Sequence, residues 1–328
     1  MNNRHLTVIM YHYVRDLKNS RYPNIKGLDV NLFKEQIKFL KKNYNVIRME
    51  DVISASKGVG ALPPHAALLT FDDGYIDHFT NVFPILKNNN LQGSFFAPVK
   101  AITEHKVLDV NKIHFILAST PKNKIYLLLN EIRNQLIEFQ EEFNLNTFDY
   151  YFDKLAQTGR FDPAEIIFIK RLLQVELPVD LRLKITNNLF EKIVGVEEGA
   201  FSKELYMSID QIKCMVNAGM HIGTHGYDHF WLGSLSKQKQ EFEIERSIDF
   251  IKEVGGNVNE WTICYPYGSY NNDTIEIIKD KGCKLGLTTE VAIATIYSQM
   301  GDNVFKIPRL DTNDLPKEEV SIPNKWYN

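Results

Sequence analysis

The chain has 328 residues, 44% of them hydrophobic and 24% charged, with a formal net charge of −3 at pH 7. That length allows one or two domains with a large core, and the composition is that of an ordinary soluble globular protein. The near-neutral balance offers no basic footprint for nucleic acid, and no run of eighteen apolar residues is present to span a membrane. Met1–His5 leads straight into an apolar strand pattern, without the basic start, longer apolar centre and small-residue cleavage site of an export signal, so a cytoplasmic location is expected. Cys214, Cys264 and Cys283 are an odd, scattered set without metal spacing, expected to pack as reduced thiols.

In chain order, Leu6–Tyr13 predicts a first strand, with His12 near its end. A second apolar run, Ala66–Phe71, follows Pro-containing punctuation and enters Asp72-Asp73-Gly74; alone, that is no more than a strand ending in a turn. His78 falls in the helix expected next, facing solvent. Leu91–Val99 is strand-like. From about 105 to 200 the strand–turn–helix rhythm stops. There Ile125, Leu128, Leu129, Ile132, Leu136, Phe139 and Phe143 recur at helical spacing, Asp162-Pro-Ala-Glu165 predicts a helix start with Asp162 as its cap, and Asp180 opens another helix. Residues 105–199 therefore predict a helical insertion of three to five helices in a loop on the catalytic side of the remaining fold, 1–104 and 200–328. The aromatics Phe148, Tyr150, Tyr151 and Phe152 have the spacing of a core face, with sugar stacking as the other reading.

Beyond the insertion, the apolar segment Met220–Gly223 runs into His225-Gly-Tyr-Asp-His229, whose two imidazoles sit one helical turn apart; His221 lies on the preceding strand as a structural residue. Asp73, His225 and His229 make a three-ligand nitrogen and oxygen set for a divalent metal, with Asp72 left over to take a proton from water. Both clusters follow apolar strands, and carboxyl ends of parallel strands are where α/β enzymes place their chemistry. Thr262–Asn271 is a further strand running into Pro266-Tyr267-Gly268, then come a helix at Asp273–Lys281, a strand-like Lys284–Thr289, and Ile307-Pro-Arg-Leu-Asp311.

Taken in order, Thr-Phe-Asp-Asp-Gly, His-x-x-x-His, Tyr-Pro-Tyr-Gly, Gly-Leu-Thr-Thr-Glu and Ile-Pro-Arg-Leu-Asp resemble the polysaccharide deacetylase family, carbohydrate esterase family four, over roughly residues 5–100 and 205–315. The resemblance implies an α/β fold, a distorted (β/α) barrel of about seven strands with the helical insertion. It also implies metal-dependent hydrolysis of the N-acetyl group of an acetamido sugar in surface-glycan or polysaccharide metabolism. Asp72 becomes the general base, and Asp73, His225 and His229 the ligands of a divalent metal, zinc first, with nickel or cobalt as alternatives. The Tyr267 N–H becomes an oxyanion donor, with Pro266 and Tyr267 contacting substrate and Trp231 and Leu232 walling the acetyl pocket. The expected partner is an acetylated amino sugar; the oligomeric state is left open. A Leu-x-x-His motif near the C-terminus commonly supplies the acid, and no His follows His229. A branch with an N-terminal Tyr-His motif assigns that role to His12, expected across the cleft from Asp72. Cys264 stands where an Arg is common, so Arg309 is the candidate to tune Asp72, and Asp311 the candidate to orient His12. Competing functions are an O-acetyl esterase, a cyclic-amide hydrolase, or a catalytically silent glycan-binding protein.

Overall fold

The computed structural model describes residues 4–327; Met1–Asn3, which belong to the segment read for an export signal, and Asn328 lie outside it. The chain divides into two compact units. One comprises the chain up to Leu17, Gly27–Lys106, and Ser202 onward; the other comprises Lys18–Lys26 and Val107–Phe201.

The first unit is built on a curled α/β barrel sheet of nine strands, in which Asn45–Val46 pairs with Ala66–Ala67 and Ala294–Ile296 pairs antiparallel with Arg4–Leu6; the other seven position the site. Strands β1 (Arg4–Tyr11), β2 (Ala66–Asp72), β3 (Ser94–Ala97), β4 (His221–Thr224), β5 (Ile263–Cys264) and β6 (Gly286–Leu287) pair in that order, each parallel to the next. Leu287 bridges to Ile307, and β7 (Leu310–Asp311) lies parallel to Ile9 and Met10 of β1, so residues 307–311 return the sheet to its first strand. Helices Val30–Asn43, Lys237–Glu253 and Asn272–Asp280 fill crossovers between these strands.

All seven residues of β2 are buried, as an unbroken apolar run covered on both faces requires. Alternation still sorts its side chains. Phe71 stacks between Tyr11 and Phe95 at 4.9 and 4.8 Å, with Phe33 of the helix Val30–Asn43 edge-on. On the other face Ala66 and Leu68 join Phe96, Cys264, Leu287 and Ile307 in one apolar cluster. Because the seven strands run parallel, the residues after β1, β2, β4 and β5 emerge at one rim. His12, Asp72–Asp73, His225 and Tyr267 therefore share that rim.

The second unit holds helices Asp109–Ser119, Ile125–Glu138, Phe148–Leu155, Ala164–Arg171 and Val179–Ile193. Lys18–Lys26 joins it without any helical pattern, because Tyr22 packs edge-on against Phe115 and Phe201 at 4.8 and 5.8 Å. Asp162 does not cap the helix Ala164–Arg171; Pro163 occupies the cap, and Asp162 pairs instead with Lys26 and, at 2.8 Å, with Lys170. The aromatic row splits: Phe148 and Tyr151 are buried, whereas Tyr150 is 48% exposed. Cys264 and Cys283 are buried as expected of packed thiols, but Cys214 is exposed on the helix Ile209–Asn217. Among the described residues, no helix is long and apolar enough to cross a membrane.

Closure of the sheet depends on a close backbone approach at Gly286. Ile307 N–H donates to the Gly286 carbonyl at 2.9 Å, and a Cβ on Gly286 would meet the Phe305 carbonyl oxygen at 2.6 Å and the Tyr265 hydroxyl more closely still. Gly286→Ala is therefore expected to destabilise the protein by about 1–3 kcal/mol through overpacking, read as a lower urea midpoint. An unchanged midpoint would contradict this account of the closure.

Candidate active site

Asp72 ends β2 in regular strand geometry, and its carboxylate is 1% exposed. Arg309, equally buried, meets it with two parallel bonds: Nη1 to Oδ1 at 3.0 Å and Nη2 to Oδ2 at 2.8 Å. The guanidinium is itself fixed by Nε donating to the Thr288 carbonyl at 2.9 Å and Nη1 to Thr70 Oγ1 at 3.2 Å. Burial would raise the Asp72 carboxyl, but the charge of Arg309, with His225 behind it, outweighs burial and holds it at about 2. Asp72 is thus an anion throughout the neutral range. Cys264 occupies the space beside the pair, its Sγ 3.3 Å from Asp72 Oδ2.

Asp73 leaves the strand with φ +73°. Tyr75 Oη donates to its Oδ2 at 2.6 Å. Its Oδ1 is buried without a hydrogen-bond donor, while His225 Nε2 and His229 Nε2 stand 3.3 and 3.2 Å away. These three atoms converge without hydrogen-bond alignment, which is the arrangement of ligands around a common cation. His225 donates Nδ1–H to the Cys264 carbonyl at 2.7 Å, a bond that fixes the tautomer and leaves the Nε2 lone pair facing Asp73. A second cluster, Asp72, His225 and Cys264, also brings potential ligand atoms together. It is the poorer set: both Asp72 oxygens are committed to Arg309, and burial pushes the Cys264 thiol up, keeping it protonated. The donor set of Asp73, His225 and His229 fits a divalent cation of the zinc class.

Three sequence expectations are corrected around this rim. His12 does not face Asp72 across a cleft; its Nε2 lies 4.0 Å from Asp72 Oδ2, on the same side, with 38% of its side chain exposed. Asp311 does not orient His12: its Oδ1 accepts from Asn313 N and Nδ2 at 2.8 and 2.6 Å, capping the turn Thr312–Asp314. His78 is fully buried rather than solvated, and its Nε2 bonds the His12 carbonyl at 2.9 Å. Burial pushes His78 down to about 4, so the ring is a neutral prop under the end of β1. Asn81 supports the same segment by donating to the Val14 carbonyl at 2.8 Å, as does the Arg15–Asp77 ion pair at 2.7 Å.

On the other flank Tyr267 adopts φ +58° between Pro266 and Gly268. Its ring stacks on Trp231 at 4.8 Å and lies 4.7 Å from the His229 ring. Leu232 and Pro266 are buried, so Trp231 and Tyr267 present the aromatic surface of this flank. The interval between the two histidines is not helical: Gly226 and His229 both have positive φ, at +74° and +58°. His221 is buried on β4, bonded to Thr262 Oγ1 at 2.8 Å. Sequence reading missed Tyr75, although it directly follows Asp-Asp-Gly. It also missed Glu243, whose carboxylate takes backbone N–H groups of the His225–His229 interval and which carries no local signal.

With the geometry in place, comparison with known proteins gives a consistent result. The family profile described as polysaccharide deacetylase matches residues 189–286, which contain His225, His229 and Tyr267. Over that stretch the chain is similar to the polysaccharide deacetylase family. It is 27% identical over 128 residues to a peptidoglycan deacetylase of Helicobacter pylori, a match covering 36% of this chain and 43% of that protein. It is 35% identical over 81 residues to the poly-β-1,6-N-acetyl-D-glucosamine N-deacetylase of Escherichia coli, covering 24% of this chain and 12% of that protein. The matched stretches thus span less than half the length of these curated relatives. In fold, the chain is similar to the Streptococcus pyogenes deacetylase PplD solved with acetate, with a TM-score of 0.56, 18% identity, and coverage of 94% of this chain and 93% of that one. It is likewise similar to IcaB from Ammonifex degensii, with a TM-score of 0.52, 18% identity, and coverage of 94% and 92%.

The Tyr75 bond predicts its own cost. Tyr75→Phe removes the donor to a buried carboxylate oxygen and keeps the ring stacked 3.9 Å from Tyr13. A loss of about 1–3 kcal/mol in urea unfolding of the metal-free protein is expected. Wild-type stability in that variant would mean that Asp73 is held by other groups.

Proposed function

We propose that the protein removes the acetyl group from an N-acetylated sugar of a surface glycan or polysaccharide, with a divalent cation held by Asp73, His225 and His229. The observation that carries this reading is the division of labour between two consecutive buried carboxylates. Asp72 is bound on both oxygens by Arg309, whereas Asp73 turns one oxygen toward two imidazole nitrogens. The names of the peptidoglycan and poly-β-1,6-N-acetyl-D-glucosamine relatives favour an acetamido sugar over other acyl substrates. When bound, a zinc-class cation supplies Lewis acidity toward the amide carbonyl and lowers the pKa of water beside it.

The remaining chemistry falls to this chain's own groups. Asp72, kept ionised by Arg309, accepts the proton of the attacking water. The Tyr267 backbone N–H, in the turn after β5, is assigned the role of donor to the oxyanion as it develops. Trp231 and the Tyr267 ring make an aromatic wall for the acetyl group and the sugar face. His12 delivers a proton to the departing amine. It stands 4.0 Å from Asp72, so proton acceptor and proton donor work side by side. A catalytically silent glycan-binding protein is the weaker reading, because the base and all three candidate ligands are present.

Acetate release from N-acetylglucosamine oligomers tests this reading, with an O-acetylated sugar as the companion substrate. The wild-type protein is expected to release acetate from the amide, and His12→Ala to lose about 10²–10⁴-fold there. The ester, whose leaving group needs less protonation, should lose less. Equal losses on both substrates would remove His12 from the mechanism. No acetate from any acetamido sugar, with metal bound, would return the silent reading.

A further inference from the structure

The two candidate metal histidines are separated by Gly226, Tyr227 and Asp228, a stretch without helical hydrogen bonds of its own. Its carbonyls are bound from one side: Val99 N–H donates to Gly226 O at 3.3 Å, and Lys100 N–H to Tyr227 O at 2.9 Å. Two of its N–H groups are bound by a single side chain. Glu243, 3% exposed on the helix Lys237–Glu253, accepts from Tyr227 N–H at 2.8 Å and from Asp228 N–H at 2.9 Å, both on Oε2. The same oxygen lies 3.2 Å from where a Cβ on Gly226 would be, so carboxylate and loop are in close contact. Ser247 Oγ donates to the Glu243 carbonyl at 2.7 Å one turn further along the helix, and Lys100 pairs with Asp228. A helical His-x-x-x-His would orient its two rings through the helix ladder itself. Here that ladder is absent, and His229 sits at φ +58°, a conformation that persists only where the surroundings hold it.

We propose that Glu243 is the positioning residue of the cation site: its carboxylate substitutes for the missing helical hydrogen bonds and sets His229 in register with His225 and Asp73. The proposal rests on the metal-site reading above. Glu243 touches neither ligand ring; it acts through the Tyr227 and Asp228 amides. Such outer partners change metal affinity by about 10–100-fold when removed.

The test is zinc affinity of the full chain by competition with a chromophoric chelator, for wild type, Glu243→Gln, Glu243→Ala, Glu243→Asp and His229→Ala. Gln keeps a carbonyl oxygen within reach of both amides, so Glu243→Gln should stay close to wild type. Glu243→Ala should weaken zinc binding about 10–100-fold, with changed visible bands of the cobalt-substituted protein. A purely structural brace would lower the urea midpoint without moving either readout. If Glu243→Ala does not fold, Glu243→Asp decides: its shorter arm withdraws the oxygen from the amides and should weaken zinc in the same direction. Wild-type affinity in a folded Ala or Asp variant overturns the proposal, provided that His229→Ala has lost zinc. Wild-type affinity in His229→Ala would instead overturn the metal-site reading on which it rests.

Discussion

Burying two consecutive carboxylates is the constraint around which this molecule is organised. Adjacent anions in a low-dielectric setting cannot both stay ionised unless each has its own source of positive charge or donated hydrogen bonds. Separate partners meet this requirement. Asp72 keeps strand geometry and meets Arg309, whereas Asp73 turns through φ +73° toward Tyr75, His225 and His229. Arg309 reaches Asp72 only because residues 307–311 close the sheet from β6 back to β1. Barrel closure and the ionisation of Asp72 are therefore one requirement. The strained φ values at Asp73, His229 and Tyr267 fall together at this rim, where surrounding hydrogen bonds hold them.

Much of this was legible because parallel strands deliver their C-terminal residues to one rim. Apolar runs located β1, β2 and β4, and the polar residues directly after them had to meet. Arg309 was legible only indirectly, through the Cys at position 264 where a cation would otherwise stand; in the structure Cys264 packs against the Asp72–Arg309 pair. The short strands β5 and β6, two residues each, hold few ladder bonds, and their patterns read longer than they are.

What the pattern could not convey were backbone conformations and partners distant in sequence. Spacing makes His225 and His229 look helical, but a glycine at 226 and a positive φ at 229 produce a loop, and the residue that supports it lies 14 positions beyond His229. His78 looked solvated because nothing local reveals that its helix packs beneath the end of β1. Asp311 precedes a short turn, and local capping by its side chain competed successfully with a longer reach to His12, as is usual for Asp at such positions. His12 came out beside Asp72 because β1 and β2 are neighbours in register, Tyr11 opposite Phe71, so their following residues cannot face each other across a cleft.

The central claim is that neighbouring carboxylates of the same chemical type have separate tasks, one paired with Arg309 and one turned toward a cation. Zinc affinity of Asp72→Asn against Asp73→Asn, measured side by side on folded protein, tests it most directly. Asn at 72 still offers an oxygen to Arg309, so that variant should bind zinc nearly as the wild type does, whereas Asn at 73 removes the only anionic ligand and should bind far more weakly. Equal loss in both variants, or a greater loss at 72, would contradict the account.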